Sequence, residues 1–187
     1  MIAIIGKIGV GKTTFLKNCG IELEQIFFAD VFVAQNYEKN GLFYEPIKQK
    51  IGEFLIDENG VSKPKILAWL SQNTENILKL EKLIYPIIYE HLKSNEYKLA
   101  EMPVLVNKNV NFLPLISGVL CLSTSDEIRV KNLQKRNVDK ATLKQLDKKN
   151  DTKKAIKSLF GKKLIVEMYG DNFESTDQNK KILSLLN

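Results

Sequence analysis

A chain of 187 residues, 44% of them hydrophobic, is long enough for one ordinary domain with a real core or for one domain with a substantial insertion. No run is long and apolar enough to read as a membrane span, and Lys7 with its flanking glycines interrupts the apolar start in a way no signal peptide does. Two cysteines and one histidine supply no zinc-ligand spacing, so Cys19 and Cys121 read as reduced structural thiols, which suits a cytoplasmic protein.

The first element is a short β-branched strand, Met1 to Ile5. It runs into Gly6-Lys7-Ile8-Gly9-Val10-Gly11-Lys12-Thr13, which matches G-x-x-x-x-G-K-[ST] at every fixed position. This is a Walker A loop, followed by a helix over 12–18. Its glycines let backbone N–H groups converge on one phosphate, so Gly9, Val10, Gly11, Lys12, Thr13 and Thr14 are the candidate nucleotide-binding residues. Lys12 reaches the β- and γ-phosphates in such a loop, and the Thr13 hydroxyl ligates Mg²⁺. The alternative is a glycine-rich β-α turn that holds no ligand.

Residues 24–30 read as a second strand ending in Asp30. Acidic groups at the C-terminal end of a parallel strand face the ligand crevice, so Asp30 is a candidate general base or Mg²⁺ partner. It serves equally well as the N-cap of a helix predicted over 31–39. From there to Lys93 the apolar spacing is helical, with stripes at Ile47, Ile51, Phe54 and Leu55, at Ile66, Leu67 and Leu70, and at Ile77, Leu80, Leu83, Ile84, Ile87 and Ile88. Breaks are expected at Asn40-Gly41, at 57–60 and near 71–73. Pro86 is expected to kink or divide the last helix, and His91 reads as an exposed helix-end residue without chemistry. Phe43, Tyr44, Tyr85 and Tyr89 either fill core or line a pocket, core being the commoner role.

A third strand begins at Tyr97 and continues past Glu101. Ser117 to Leu122 is a fourth, buried on both faces, followed by a helix from the Ser123–Asp126 cap toward Arg136, a fifth strand over 163–168 and a closing helix over 177–186. Between Arg129 and Lys163, thirteen Lys or Arg stand against three Asp, which leaves the rest of the chain near −4. A basic face can bind nucleic acid or close as a lid over a polyphosphate. With Phe160 the single aromatic among these lysines, stacking with bases is not served, and a lid or a solvated face is the better reading. Strands alternating with helices behind a Walker loop predict an α/β three-layer sandwich with a five-stranded parallel sheet, of the P-loop NTPase and nucleoside-monophosphate-kinase-like type.

In order along nearly the whole chain, these landmarks resemble the dephospho-CoA kinase family. The Walker loop at Gly6–Thr13 stands in the family's G-x-I-G-x-G-K-[ST] setting, and Phe28-Ala29-Asp30-Val31-Phe32-Val33-Ala34 parallels D-A-D-x-x-A-R. Tyr85-Pro86-Ile87-Ile88 parallels [HY]-P-x-I, Glu101-Met102-Pro103-Val104-Leu105 parallels x-x-P-L-L, and Lys135-Arg136 leads into the lid. The chain departs from the pattern at Phe28, Ala34 and Asn107, has Asn150 for the lid glutamine, and keeps a reduced tail from Glu167 to Asp171.

The resemblance implies a single P-loop kinase domain over 1–187, with a helical acceptor-binding insertion at 31–95 and a lid at 136–160. It implies ATP-dependent phosphorylation of the 3′-hydroxyl of dephospho-CoA, with Asp30 taking or orienting the hydroxyl proton and Arg136 entering from the lid to neutralise charge. ATP and Mg²⁺ are the implied cofactors, and a monomer or weak homo-oligomer without nucleic-acid or membrane partners is expected. The residues leave two alternatives open: another small-molecule kinase of this architecture, or a non-catalytic nucleotide-binding protein whose acceptor site has decayed.

Overall fold

The computed structural model describes residues 1–102, 104–134, 152–171 and 173–186. Arg136, Asn150 and most of the lid segment at 136–160 lie outside the described residues. Strands are β1 (Ile2–Ile5), β2 (Ile26–Phe28), β3 (Ile56–Asp57), β4 (Gly60–Val61), β5 (Leu99–Glu101), β6 (Gly118–Ser123) and β7 (Leu164–Tyr169). The chain forms two compact units, one of Met1–Phe28, Glu96–Val106 and Phe112–Asn187, the other of Ala29–Asn95 and Asn107–Asn111.

The first unit is built on a five-stranded sheet in the order β2-β5-β1-β6-β7, with every pairing parallel. This is the predicted sheet. β1 lies at its centre, every residue buried, because a strand covered on both faces must be apolar at consecutive positions. Ile4 pairs with Glu101 on one side and Leu120 on the other, so the C-terminal ends of β1, β5 and β6 come to one edge of the sheet. β7 lies at the end of the sheet with partly exposed side chains. The core joins Ile2, Ile4, Leu99, Leu120 and Leu122 of the sheet to Phe15 and Leu16 of α1 (Lys12–Lys17) and to Leu183 of the closing helix Thr176–Ser184.

The second unit is helical: α2 (Ala29–Tyr37), α3 (Tyr44–Lys50), α4 (Lys63–Gln72) and α5 (Asn76–Ser94). α5 is amphipathic, burying Leu80, Ile84, Ile88 and Leu92 along one stripe. The turn residues at 57–60 do more than break a helix, since they close the β3–β4 hairpin. Pro86 does not divide α5, which runs through it for 19 residues. Pro86 is exposed, so water can hydrogen-bond the Lys82 carbonyl that loses its partner there. Phe43 is fully buried core, with its ring 5.8 Å from that of Phe32.

His91 departs from its reading as an exposed residue. It is half-buried with its ring centroid 4.3 Å from that of Phe32, and desolvation lowers its pKa from 6.5. A base whose folded pKa is depressed is protonated more readily in the unfolded chain. Its burial is therefore tolerated above the ordinary imidazole value and opposes folding as pH falls through about 6.5 toward the lowered folded value. Between pH 7 and 5, the melting midpoint of the protein is expected to fall more steeply than that of His91→Gln, measured by circular dichroism at each pH. Parallel pH dependences would remove His91 as a source of acid sensitivity.

Candidate active site

The loop from Gly6 to Thr13 leaves the centre of the sheet and turns directly into α1. Gly9 and Gly11 have φ of 84° and 98°, a region that side-chain-bearing residues rarely adopt. Space forbids a side chain as well. A Cβ on Gly9 would lie 3.0 Å from Leu133 Cγ and 3.3 Å from the Arg129 carbonyl oxygen, and one on Gly11 would lie 2.9 Å from a Phe173 ring carbon. Val10 is the anchor between them, buried in the core. Gly11 is the N-cap of α1 and provides no side-chain cap, so the first amides of that helix remain available to an outside acceptor.

Two hydrogen bonds from α6 (Asp126–Gln134) hold the back of this loop. Arg129 Nε donates to the Ile8 carbonyl at 2.9 Å and Asn132 Nδ2 to the Gly9 carbonyl at 2.9 Å. In a trans peptide the carbonyl and the following N–H point in opposite directions. Fixing the Ile8 and Gly9 carbonyls toward α6 therefore turns the Gly9 and Val10 N–H groups away from it, and the Val10 N–H donates within the loop to the Lys7 carbonyl at 3.5 Å.

Lys12 lies across its own loop. Its ammonium donates to the Gly6 carbonyl at 3.0 Å and the Lys7 carbonyl at 3.3 Å, and stands 3.8 Å from Glu101 Oε1. The side chain is only 14% exposed, so this cation is held close to the loop instead of extending into water. Glu101 reaches it because β5 pairs in register with β1, a placement that spacing along the chain does not reveal. Thr13 is half-buried and Thr14 exposed on the first turn of α1.

Asp30 belongs to the helical unit. α2 begins at Ala29, so the carboxylate occupies the first helical turn and is not the N-cap of a helix starting at Val31. It is exposed and makes no ion pair among the described residues, and a carboxylate there interacts favourably with the helix dipole. Asn107 stands where the resemblance expects an acid. Its Oδ1 accepts from Asn109 N at 2.7 Å and Val110 N at 2.8 Å, which folds the 107–110 loop, while its buried Nδ2 has no partner. A carboxylate could accept the same two bonds.

Both cysteines are unpaired and buried. Burial is the main cause that raises the Cys121 thiol to about 11, with Glu167 adding to it, and burial also raises Cys19. Neither thiol forms a nucleophilic thiolate near neutral pH. Among the described residues, no group of three or more His, Cys, Asp or Glu could hold a metal ion.

The sequence assigns no site role to Arg129, Asn132, Leu133 or Phe173. They meet the loop across more than 120 residues of chain, and no local pattern marks them. Removing the Asn132 bond by Asn132→Ala should lower ATP-analogue affinity about two- to twelvefold, the value of one hydrogen bond of about 0.5–1.5 kcal/mol. Calorimetric titration checks this, and an unchanged affinity would remove Asn132 from loop positioning.

Residues 1–167 match the model of the family described as dephospho-CoA kinase. The dephospho-CoA kinase of Mycoplasma genitalium is 29% identical over 147 residues, covering 75% of this chain and 74% of the relative. That of Mycoplasma pneumoniae is 27% identical over 146 residues, covering 74% and 73%. The fold is shared with TT1252 from Thermus thermophilus, with a TM-score of 0.64 at 19% identity over 100% of this chain and 97% of the other. It is shared also with dephospho-CoA kinase from Campylobacter jejuni, with a TM-score of 0.54 at 18% identity over 100% and 96%. With a glycine-bounded phosphate loop at the centre of a parallel sheet and a family match over most of its length, the chain belongs to the dephospho-CoA kinase family.

Proposed function

We propose that the protein transfers the γ-phosphoryl group of ATP to the 3′-hydroxyl of dephospho-CoA through Lys12, Asp30 and Arg136, with Gly9 to Thr14 as the phosphate cradle. The observation that carries this reading is the Lys12 ammonium held against a glycine loop whose Ile8 and Gly9 carbonyls are tied to α6. Phosphoryl transfer asks for alignment and charge neutralisation more than for covalent chemistry, and this loop offers both.

In this reading the amides of Gly9 to Thr14 bind the phosphate oxygens, and Lys12 exchanges its carbonyl contacts for the β- and γ-phosphates. Asp30 accepts or orients the proton of the attacking hydroxyl. Arg136 neutralises charge on the transferring group as the 136–160 lid closes and excludes water. The 31–95 segment is the acceptor-binding insertion. Mg²⁺ fits the donors present, because it prefers hard oxygens and completes its shell with water and substrate phosphates instead of an all-protein cage. Thr13 would hold it, and when bound it neutralises phosphate charge.

The reading includes a monomer or weak homo-oligomer acting in the cytoplasm without nucleic-acid partners. No helix of the described residues is long and apolar enough to cross a membrane.

The deciding experiment is incubation of the purified protein with ATP, Mg²⁺ and dephospho-CoA, with the product identified by mass. A gain of one phosphate on dephospho-CoA is expected, and ATP consumption without that product would overturn the acceptor assignment. Lys12→Ala should lower nucleotide affinity and turnover together, with turnover down by about 10²-fold or more. Asp30→Asn should keep ATP affinity and lower turnover by about 10²- to 10⁴-fold. Turnover near that of the parent protein in Asp30→Asn would take Asp30 out of the mechanism.

A further inference from the structure

The helical unit is electrically balanced, with nine lysines against nine Asp and Glu over 29–95 and 107–111. One cleft in it departs from that balance. It lies among the end of α3, the Glu53–Leu55 turn, α4 and the first half of α5, and its volume is about 640 Å³. That is a small-molecule size. Lys50, Lys79 and Lys82 line it with no acidic residue, and none of the three forms an ion pair among the described residues, where the pairs are Lys12–Glu101 and Lys48–Glu53.

The remaining wall is apolar and includes Phe54, Trp69 and Leu83. Phe54 is 56% exposed, with its ring 6.4 Å from Trp69 in an edge-on arrangement. The Phe54 ring lies over Gly52, whose φ is 147° and where a Cβ would approach the ring to 2.7 Å. A side chain at position 52 would drive the ring out of this position. A plain solvated lysine face needs no aromatic pair at its centre. Gathered ammoniums repel one another, and exposed aromatic surface costs about 25 cal/mol per Å². A single ligand with an anionic group and a planar or aliphatic body relieves both.

We propose that this cleft binds an organic phosphate, its anionic group among Lys50, Lys79 and Lys82 and its body packed on Phe54 and Trp69. Such chemistry has two sources, the far part of a bound dephospho-CoA, which rests on the reaction proposed above, or a separate phosphorylated metabolite, which does not.

Trp69 is the chain's single tryptophan, so its emission reports on this cleft alone. Dephospho-CoA and ADP are titrated separately into the full-length protein, into Lys12→Ala and into the double variant Lys79→Gln with Lys82→Gln. Both lysines are exposed, and a circular dichroism melt checks the fold of the variant. The expected result is a saturable change in Trp69 emission that survives Lys12→Ala and shifts at least tenfold to higher concentration in the double variant. A response to dephospho-CoA alone assigns the acceptor's far part, and a response to ADP assigns a separate phosphorylated metabolite. Silence toward both ligands at millimolar concentration, a midpoint unchanged in the double variant, or a signal lost in Lys12→Ala overturns the proposal. Product mass is followed in parallel: product with a silent Trp69 removes the cleft only, and a responding Trp69 without product removes the reaction only.

Discussion

The phosphate loop depends on where the Ile8 and Gly9 carbonyls point, because each fixes the direction of the amide that follows it. A free glycine-rich turn would sample many arrangements, and most of them would scatter those amides. Here Ile8 and Gly9 carbonyls are tied to Arg129 and Asn132, Val10 is sunk in the core, and Phe173 closes over Gly11. The entropy of ordering the loop is met by the fold before any ligand arrives, which is the physical content of preorganisation.

That arrangement requires the sheet to be built as it is. β1 must be central for its end to face both β5 and β6, and the connections of a parallel sheet carry the following segments back over its faces. Glu101 then stands beside Lys12 at the end of β5, and α6 departs from the end of β6 to reach the loop. The Lys12–Glu101 separation of 3.8 Å, with both side chains mostly buried, holds the ammonium without neutralising it through a close bidentate contact.

The helical unit is organised on a different principle. Its core joins the apolar stripe of α5 to buried Phe32, Phe43, Ile47 and Leu55. Three positions depart from the family pattern, Phe28 in the sheet unit and Ala34 and Asn107 in the helical unit. Ala34 is exposed on α2, Phe28 packs partly buried against the sheet core, and Asn107 spends its oxygen on folding its own loop. None of the three substitutions disturbs the phosphate loop, whose supports all come from the sheet unit.

The Walker loop was legible because glycine spacing and the Lys-Thr pair are local requirements of phosphate binding, written within eight residues. The strands β1 and β6 were legible for a similar reason, since burial on both faces demands consecutive apolar residues in 2–5 and 118–122. Element ends were less so: β2 ends at Phe28 and α2 begins at Ala29, so Asp30 falls inside the first helical turn instead of capping it. α5 passes Pro86 unbroken because tertiary packing of its apolar stripe outweighs one missing hydrogen bond at an exposed position. What only the tertiary structure decided is which distant groups meet the loop and which lysines share a cleft with Trp69. Those contacts join residues from ten to more than a hundred positions apart, and periodicity and motif spacing report only on neighbours along the chain.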